Sequence, residues 1–183
     1  MTAKIVLLNG VGIAGKSSIA RALQGVTAEP YLHVEMDAFL EMLPEALQEN
    51  LPGFAYRTGW EDGKPSVAIE AGPVGRRAMQ GMRHAIAAMA GQGNNLIVDD
   101  VMLDGEMAQY QALLSDFELF RVGVFAPLDV LEARENERAD RLAGLARWQF
   151  ERVHKSAAYD IEVDTSMLTA QECARLIQQR FGL

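Results

Sequence analysis

Residues 5–20 read IVLLNGVGIAGKSSIA, an apolar run followed by a glycine-rich turn and a second apolar segment. Within this stretch, Gly10 to Ser17 fit the pattern G-x-x-x-x-G-K-[ST] without a gap. The pattern lies between a predicted strand and a predicted helix, which is the context that a phosphate-binding loop requires. Its glycines let successive backbone N–H groups turn toward one anion, and the helix start adds a positive dipole end. The segment therefore predicts that the chain binds a nucleoside triphosphate, and ATP is the commonest donor.

The residues of this loop have separate expected roles. The amine of Lys16 can reach the outer phosphates, and the hydroxyl of Ser17 can bind Mg²⁺. The other expected nucleotide contacts in the loop are Gly10, Val11, Gly12, Ile13, Ala14, Gly15 and Ser18.

Apolar runs of strand length alternate with segments of helical period along the rest of the 183-residue chain. Strands separated by helices of this length favour right-handed crossovers and a parallel sheet that is covered on both faces. We therefore predict one domain over residues 1–183, with a three-layer α/β/α P-loop kinase fold and a small helical lid near 134–147. The five predicted strands, expected in the sheet order second, third, first, fourth, fifth, are residues 4–9, 31–37, 94–101, 117–126 and 159–166.

The composition of the sequence limits the kinds of partner and the location that we expect for the protein. The net charge of −8 repels polyanions, and the absence of a basic cluster argues against nucleic-acid binding. The apolar run at Ile5 to Leu8 is too short for a membrane span or a signal peptide. The single cysteine, Cys173, fits a reducing compartment, so a cytoplasmic location is expected. The sequence leaves the oligomeric state open and allows a homo-oligomer.

The arginines after the fourth strand indicate phosphoryl transfer. A GTPase would carry an N-K-x-D segment, which this sequence lacks, and motor ATPases are usually larger. Residues 128–154 have a helical pattern broken at Gly144, and Arg134, Arg138 and Arg141 stand at i, i+4 and i+7 within it. This spacing predicts three cations along one helical face of a lid that would neutralise charge on a transferring phosphate.

Carboxylates close two of the predicted strands at the edge of the sheet where ligands bind in open α/β folds. Asp37 closes the second strand and is the candidate base for an acceptor hydroxyl. Asp99 follows the apolar run LIV and is the candidate Mg²⁺ ligand. Asp100 is the candidate contact with the acceptor. The sequence does not separate the roles of Asp99 and Asp100, and the three histidines have no metal-binding spacing.

Residues 48–72 are predicted to be a loop-rich insertion on the acceptor side, because their periodicity is weak and they contain several Gly and Pro residues. Ordinary packing under a long loop is an equally good interpretation of its aromatic residues. The residues expected to contact the acceptor, besides Asp37 and Asp100, are Phe54, Tyr56, Trp60 and Met102.

Several segments together resemble the chloramphenicol phosphotransferase family, and they are GVGIAGKSS, EMDAFLEMLP, AGPVGRRAMQGM, IVDDVML, ERADRLAGLARWQ and VHKSAAYDIEVDTS. The resemblance implies a fold similar to that of shikimate and nucleotide kinases, and transfer of the γ-phosphate of ATP to a hydroxyl of an antibiotic. It implies that Asp37 activates the hydroxyl and that Arg138 and Arg141 steady the phosphate. Similarity to the wider kinase class implies that Arg134 stacks on adenine and that Thr165 and Ser166 border the base.

The acceptor stays open at this point, because the insertion, where an acceptor pocket would be shaped, matches the family least. The candidates are a chloramphenicol-like antibiotic and a cationic aminoglycoside such as hygromycin. A cationic aminoglycoside would suit the negative charge of seven acidic residues, which are Glu35, Asp37, Glu61, Asp62, Asp99, Asp100 and Asp104. Two alternatives remain, a kinase of a small metabolite of the shikimate or nucleoside type and a nucleotide-binding regulator without catalysis.

Overall fold

The computed structural model describes residues 2–61, 63–103, 105–138 and 142–183. The predicted lid residue Arg141 therefore lies outside the described residues. Along the chain the elements are β1 (Lys4–Asn9), α1 (Lys16–Gln24), β2 (Tyr31–Glu35), α2 (Met36–Glu41), α3 (Glu45–Gln48), β3 (Phe54–Glu61), β4 (Lys64–Ala71), α4 (Pro73–Gly91), β5 (Asn95–Asp100), α5 (Glu106–Leu113), β6 (Glu118–Phe125), α6 (Leu128–Asn136), α7 (Leu145–Val153), β7 (Ile161–Asp164) and α8 (Ala170–Phe181).

Five parallel strands form the central sheet in the order β2-β5-β1-β6-β7. These are the five predicted strands in the predicted spatial order. Alternate residues of β1 enter two separate cores, because successive side chains of a strand point to opposite faces. Val6 and Leu8 pack with α1 and α8, while Ile5 and Leu7 pack with α4 and α5. The structure thus confirms the predicted three-layer α/β/α fold.

The segment 48–72 differs from its prediction as a loop-rich insertion. Within it, β3 and β4 pair antiparallel, in a register that runs from Phe54 opposite Ala71 to Glu61 opposite Lys64. The dipeptide Asp62-Gly63 was an available hairpin signal. The hairpin is joined to the start of α7, since the Val67 N–H donates to the Gly144 carbonyl at 2.9 Å. The insertion is therefore a second, two-stranded sheet that is hydrogen-bonded to the residue preceding α7.

The predicted lid helix also differs, because α6 ends at Asn136 and α7 begins at Leu145. The carboxylate of Glu135, 5% exposed, accepts hydrogen bonds from the Gly144 and Ala146 N–H groups, both at 2.7 Å. This side chain of α6 satisfies the first amides of α7, and α6 and α7 are two separate helices. Arg134 lies in the last turn of α6 and Arg138 lies beyond it. The prediction that Arg134 and Arg138 share one helical face is therefore wrong.

Replacing Glu135 with alanine should lower the free energy of unfolding by about 2–3 kcal/mol, because two N–H groups lose a charged acceptor. Urea unfolding measures this difference. Glu137→Ala is the matched control, since Glu137 is exposed at the same helix end, and it should change stability by about 0.5 kcal/mol or less. Equal losses in the two variants would contradict this role of Glu135.

None of the described helices has the length and apolar character needed to cross a membrane.

Candidate active site

The glycine loop joins β1 to α1, as predicted. Gly15 precedes α1 with φ 94°, a left-handed conformation that favours glycine. A side chain at Gly10 would approach the Val124 carbonyl oxygen to 2.4 Å, so the loop packs against β6 without room for a Cβ atom. Both glycines of the motif are thus required by the backbone path.

Lys16 folds back over this loop and is 4% exposed. Its Nζ donates to the carbonyl oxygens of Gly10 and Val11, both at 3.0 Å, and lies 3.6 Å from Asp99 Oδ1. The Ser17 hydroxyl donates to Asp99 Oδ2 at 2.5 Å. The structure therefore brings together the predicted phosphate-binding lysine and the two predicted Mg²⁺ ligands.

The carboxylate of Asp99 is held in its ionised form. Burial acts to raise the pKa of Asp99, but the charge of Lys16 and the neighbouring His33 and Ser17 side chains outweigh burial and lower that pKa. An ionised carboxylate beside a hydroxyl is a set of oxygen donors that suits Mg²⁺.

Gln149 is a residue that the sequence reasoning missed. It belongs to α7, is 4% exposed, and its Oε1 accepts the Gly12 N–H at 2.8 Å. Thus one N–H of the glycine loop is bound by a side chain that lies 137 residues further along the chain. Its sole sequence signal was its place in the segment ERADRLAGLARWQ.

Gln149→Glu should raise the KM for ATP about tenfold or more. The variant places a carboxylate beside the loop amide, where it repels the phosphates. Steady-state kinetics at saturating acceptor measure the change. Gln179→Glu makes the same charge change at an exposed position of α8 and should leave the KM for ATP unaltered. An unaltered KM in Gln149→Glu would show that this amide lies away from the triphosphate.

A cavity of about 870 Å³ lies beside the loop, between α2, the β3–β4 hairpin, α4, α5 and α7. This volume suits a small organic molecule. Gln149 contacts the glycine loop and also lines the cavity. The apolar part of the lining includes Met36, Leu40, Phe54, Ile69, Met79 and Trp148, and the charged part includes Arg76, Arg83, Asp100 and Glu106.

Asp100 lines this cavity, whereas its neighbour Asp99 faces the glycine loop. Successive residues of a strand point in opposite directions, and this alternation separates the two carboxylates that the sequence left together. Asp100 accepts hydrogen bonds from the Tyr110 hydroxyl and the Val101 N–H, both at 2.7 Å. Burial raises the pKa of Asp100 to about 6, and the charge of Glu106 acts in the same direction.

Arg83 is buried in the wall of the cavity and is held by two residues of α5. Its Nη2 lies 2.7 Å from Glu106 Oε1, and its Nε donates to Gln109 Oε1 at 3.1 Å. The guanidinium also stands 5.8 Å from the centre of the Tyr110 ring. This pairing makes Arg83 part of a rigid polar wall.

Two of the predicted adenine-side residues meet at the loop. Arg134 donates to the hydroxyl and the carbonyl oxygen of Thr165 at 2.9 and 2.7 Å, and the Thr165 hydroxyl lies 2.9 Å from the Ala14 carbonyl oxygen. Ser166 is exposed, and its N–H and hydroxyl both donate to Asp164 Oδ1. The end of β7 is thereby tied to the glycine loop.

The predicted base, Asp37, does not close the second strand. β2 ends at Glu35, and Asp37 lies exposed in the first turn of α2. Met36 and Leu40 of the same helix line the cavity, whereas the described lining does not include Asp37.

Of the four non-acidic residues predicted to contact the acceptor, Phe54 lines the cavity. The described lining does not include Tyr56, Trp60 or Met102, so their contact with an acceptor stays a prediction. Trp60 is 74% exposed because it lies near the hairpin tip, opposite Pro65. Tyr56 lies on the same strand, further from the hairpin tip, and is half-buried. Met102 is buried in the core between the sheet and α4–α5.

Comparison with known proteins gives matches over nearly the whole chain. The family model described as "Chloramphenicol phosphotransferase-like protein" matches residues 3–182. The protein named "Putative O-phosphotransferase Rv2636", from Mycobacterium tuberculosis strain H37Rv, is 33% identical over 185 residues, covering 97% of this chain and 82% of that protein.

Solved structures of kinases share the fold. A gluconokinase from Sinorhizobium meliloti superposes with a TM-score of 0.65 at 17% identity, over 99% of this chain and 92% of that one. The Mycobacterium tuberculosis APS kinase CysC, in complex with AMPPNP and APS, superposes with a TM-score of 0.66 at 15% identity, over 100% and 99% of the two chains. The expected P-loop kinase fold and phosphotransferase class are both confirmed. The chain belongs to the chloramphenicol phosphotransferase-like family.

Proposed function

We propose that this protein transfers the γ-phosphate of ATP to a hydroxyl of a small molecule held in the 870 Å³ cavity. The observation that carries the proposal is the position of Gln149, which binds the Gly12 N–H of the glycine loop and lines the cavity. One side chain thus touches both compartments, so a triphosphate on the loop would end next to an acceptor in the cavity.

The residues of the loop bind the donor in this proposal. The backbone N–H groups surround the phosphates, and Lys16 leaves the carbonyls of Gly10 and Val11 to contact the outer phosphates. Ser17 and Asp99 hold Mg²⁺, which when bound offsets charge on the phosphate oxygens. Arg134 and Thr165 border the adenine, since both are tied to the loop at Ala14.

Transfer to the acceptor requires the removal of a hydroxyl proton. Asp37 accepts this proton, since α2 borders the cavity through Met36 and Leu40. Arg138 and Arg141 steady the transferring phosphate from the segment between α6 and α7. The proposed reaction is an in-line transfer, in which the donor and the base would stand on opposite sides of the phosphoryl group.

The cavity lining favours a neutral, amphipathic acceptor of the chloramphenicol type over a polycationic aminoglycoside such as hygromycin. The two cations Arg76 and Arg83 balance the carboxylates Asp100 and Glu106 among the described lining residues. Much of the remaining wall is apolar, and an apolar wall stabilises a ligand with a hydrophobic face. Asp100 is available to accept a second hydroxyl or an amide N–H of that ligand.

A small-metabolite kinase is the second candidate, and Arg76 is the observation that favours it. This side chain lines the cavity and is exposed. A guanidinium in that position suits the carboxylate of a hydroxy acid.

The test is incubation with ATP and Mg²⁺ and a panel of chloramphenicol, hygromycin, gluconate and shikimate. ADP release and a product heavier by one phosphoryl group, detected by mass spectrometry, identify the acceptor. Phosphorylation of chloramphenicol supports the first proposal, and phosphorylation of a hydroxy acid alone supports the second. Saturable ATP binding without phosphorylation of any compound would support a non-catalytic regulator instead.

A further inference from the structure

His33, on β2, has an unsatisfied buried nitrogen. Its side chain is 10% exposed, and Nε2 has no hydrogen-bond partner among the described residues. This nitrogen lies 3.7 Å from Asp99 Oδ2, and the other ring nitrogen, Nδ1, lies 3.6 Å from Glu35 Oε1. Both distances exceed those of a hydrogen bond. One ion binds one nitrogen of an imidazole ring, and the unsatisfied nitrogen, Nε2, is the one that faces Asp99.

The sheet register explains why these donors converge. Glu35 is opposite Asp99 in the β2–β5 pairing, and His33 precedes Glu35 by two residues, on the same face of β2. One donor atom from each of the three side chains lies within 4.8 Å of the other two. Ligands around one divalent ion stand from about 3.1 Å (cis) to about 4.4 Å (trans) apart for bonds near 2.2 Å, and only one pair of three can be trans, so side-chain rotations that move these atoms by about an ångström would join them.

The surrounding charges also suit a dication. Two of the three side chains of the cluster, Glu35 and Asp99, are carboxylates. Lys16 lies 3.6 Å from Asp99, and the exposed Arg21 lies 3.3 Å from Glu35 Oε1. Each cation contacts one carboxylate from outside, and neither is placed to satisfy His33 Nε2. The hydroxyl of Ser17, bonded to Asp99 Oδ2, adds an oxygen donor at the edge of the cluster.

We propose that His33, Glu35 and Asp99 form a divalent-cation site that prefers Mn²⁺ or Co²⁺ to Mg²⁺. An imidazole nitrogen binds first-row transition metals more strongly than it binds Mg²⁺, which prefers oxygen ligands. The proposal rests on the proposed function in one respect, since the cation held by Asp99 would be the one that accompanies the triphosphate. It adds two ligands, from β2, that the phosphate-loop motif does not contain.

Mn²⁺ titration of the full chain, without nucleotide or acceptor, tests the site. Electron paramagnetic resonance measures free Mn²⁺, and we expect one saturable site in the wild type. His33→Ala and Glu35→Gln should each weaken Mn²⁺ binding tenfold or more, whereas Mg²⁺, measured by competition, should lose less than threefold in His33→Ala. His84→Gln and Glu118→Gln are the matched controls, since both residues are exposed and neither lies on β2 or β5, and these variants should bind Mn²⁺ like the wild type.

The result that overturns the proposal is Mn²⁺ binding by His33→Ala at wild-type strength, or the lack of a saturable site in the wild type. Should His33→Ala fail to fold, pulsed electron paramagnetic resonance of the wild type decides the matter. Coupling of bound Mn²⁺ to an imidazole nitrogen supports the site, and its absence contradicts the site.

This test is separable from that of the proposed function. A nitrogen-coupled Mn²⁺ site in a protein that phosphorylates no acceptor would leave the metal proposal standing and remove the proposed reaction. Phosphorylation with Mg²⁺, together with Mn²⁺ that shows no nitrogen coupling, would do the reverse.

Discussion

Replacing Lys16 with alanine is expected to reduce kcat/KM for ATP about a thousandfold. The lysine is the buried cation of the glycine loop, and its removal takes away a charge that stabilises the phosphate oxygens as negative charge shifts between them. Steady-state kinetics with the acceptor identified from the panel measure the loss, and titration with ATP measures donor binding separately.

Lys64→Ala is the control for this variant. Lys64 is exposed at the start of β4, and its Nζ lies 2.9 Å from Glu132 Oε2. The Lys64→Ala variant therefore also removes a lysine from an ion pair, but away from the glycine loop. Its turnover should stay within about twofold of the wild type. Turnover by folded Lys16→Ala near the wild-type rate would remove the loop from the chemistry and with it the proposed function.

Asp37→Asn should lower kcat about a hundredfold or more, with ATP binding unchanged. The amide keeps the shape of the side chain but cannot accept the acceptor's proton. Rapid-quench measurement of phosphoryl transfer, combined with an ATP titration, separates the chemical step from donor binding.

Glu41→Gln, at the other end of α2, makes the same chemical change on an exposed residue and should leave kcat unaltered. An unaltered kcat in Asp37→Asn would exclude Asp37 as the base. The role would then pass to another carboxylate of the site, of which Asp100 is the best placed, since it lines the cavity and burial raises its pKa to about 6.

The glycine loop, the five strands and their order could all be predicted because their signals are local. A phosphate-binding loop is specified by consecutive residues between a strand and a helix, and the apolar runs of buried strands stand out from helical periods. The rules of right-handed crossover and parallel pairing then restrict the order of the strands.

The hairpin and the early end of α6 at Asn136 were not predicted, for a common reason. The strands β3 and β4 are stabilised by each other and by α7 rather than by a clear alternation of apolar residues. The end of α6 depends on Glu135 reaching the amides of Gly144 and Ala146, which lie nine and eleven residues further on. The dipeptide Asp62-Gly63 was a local signal for the hairpin turn. The contact of the hairpin with α7 and the contacts of Glu135 have no signature within a window of a few residues.

The sequence by itself determined the phosphate loop, the sheet and the class of chemistry, since each depends on neighbours in the chain. The tertiary structure alone decided that Asp99 faces the loop while Asp100 faces the cavity, that Gln149 binds Gly12, and that His33 converges with Glu35 and Asp99. These contacts join residues on different strands and helices. Their distances follow from how the layers pack, a property of the whole chain that no short segment contains.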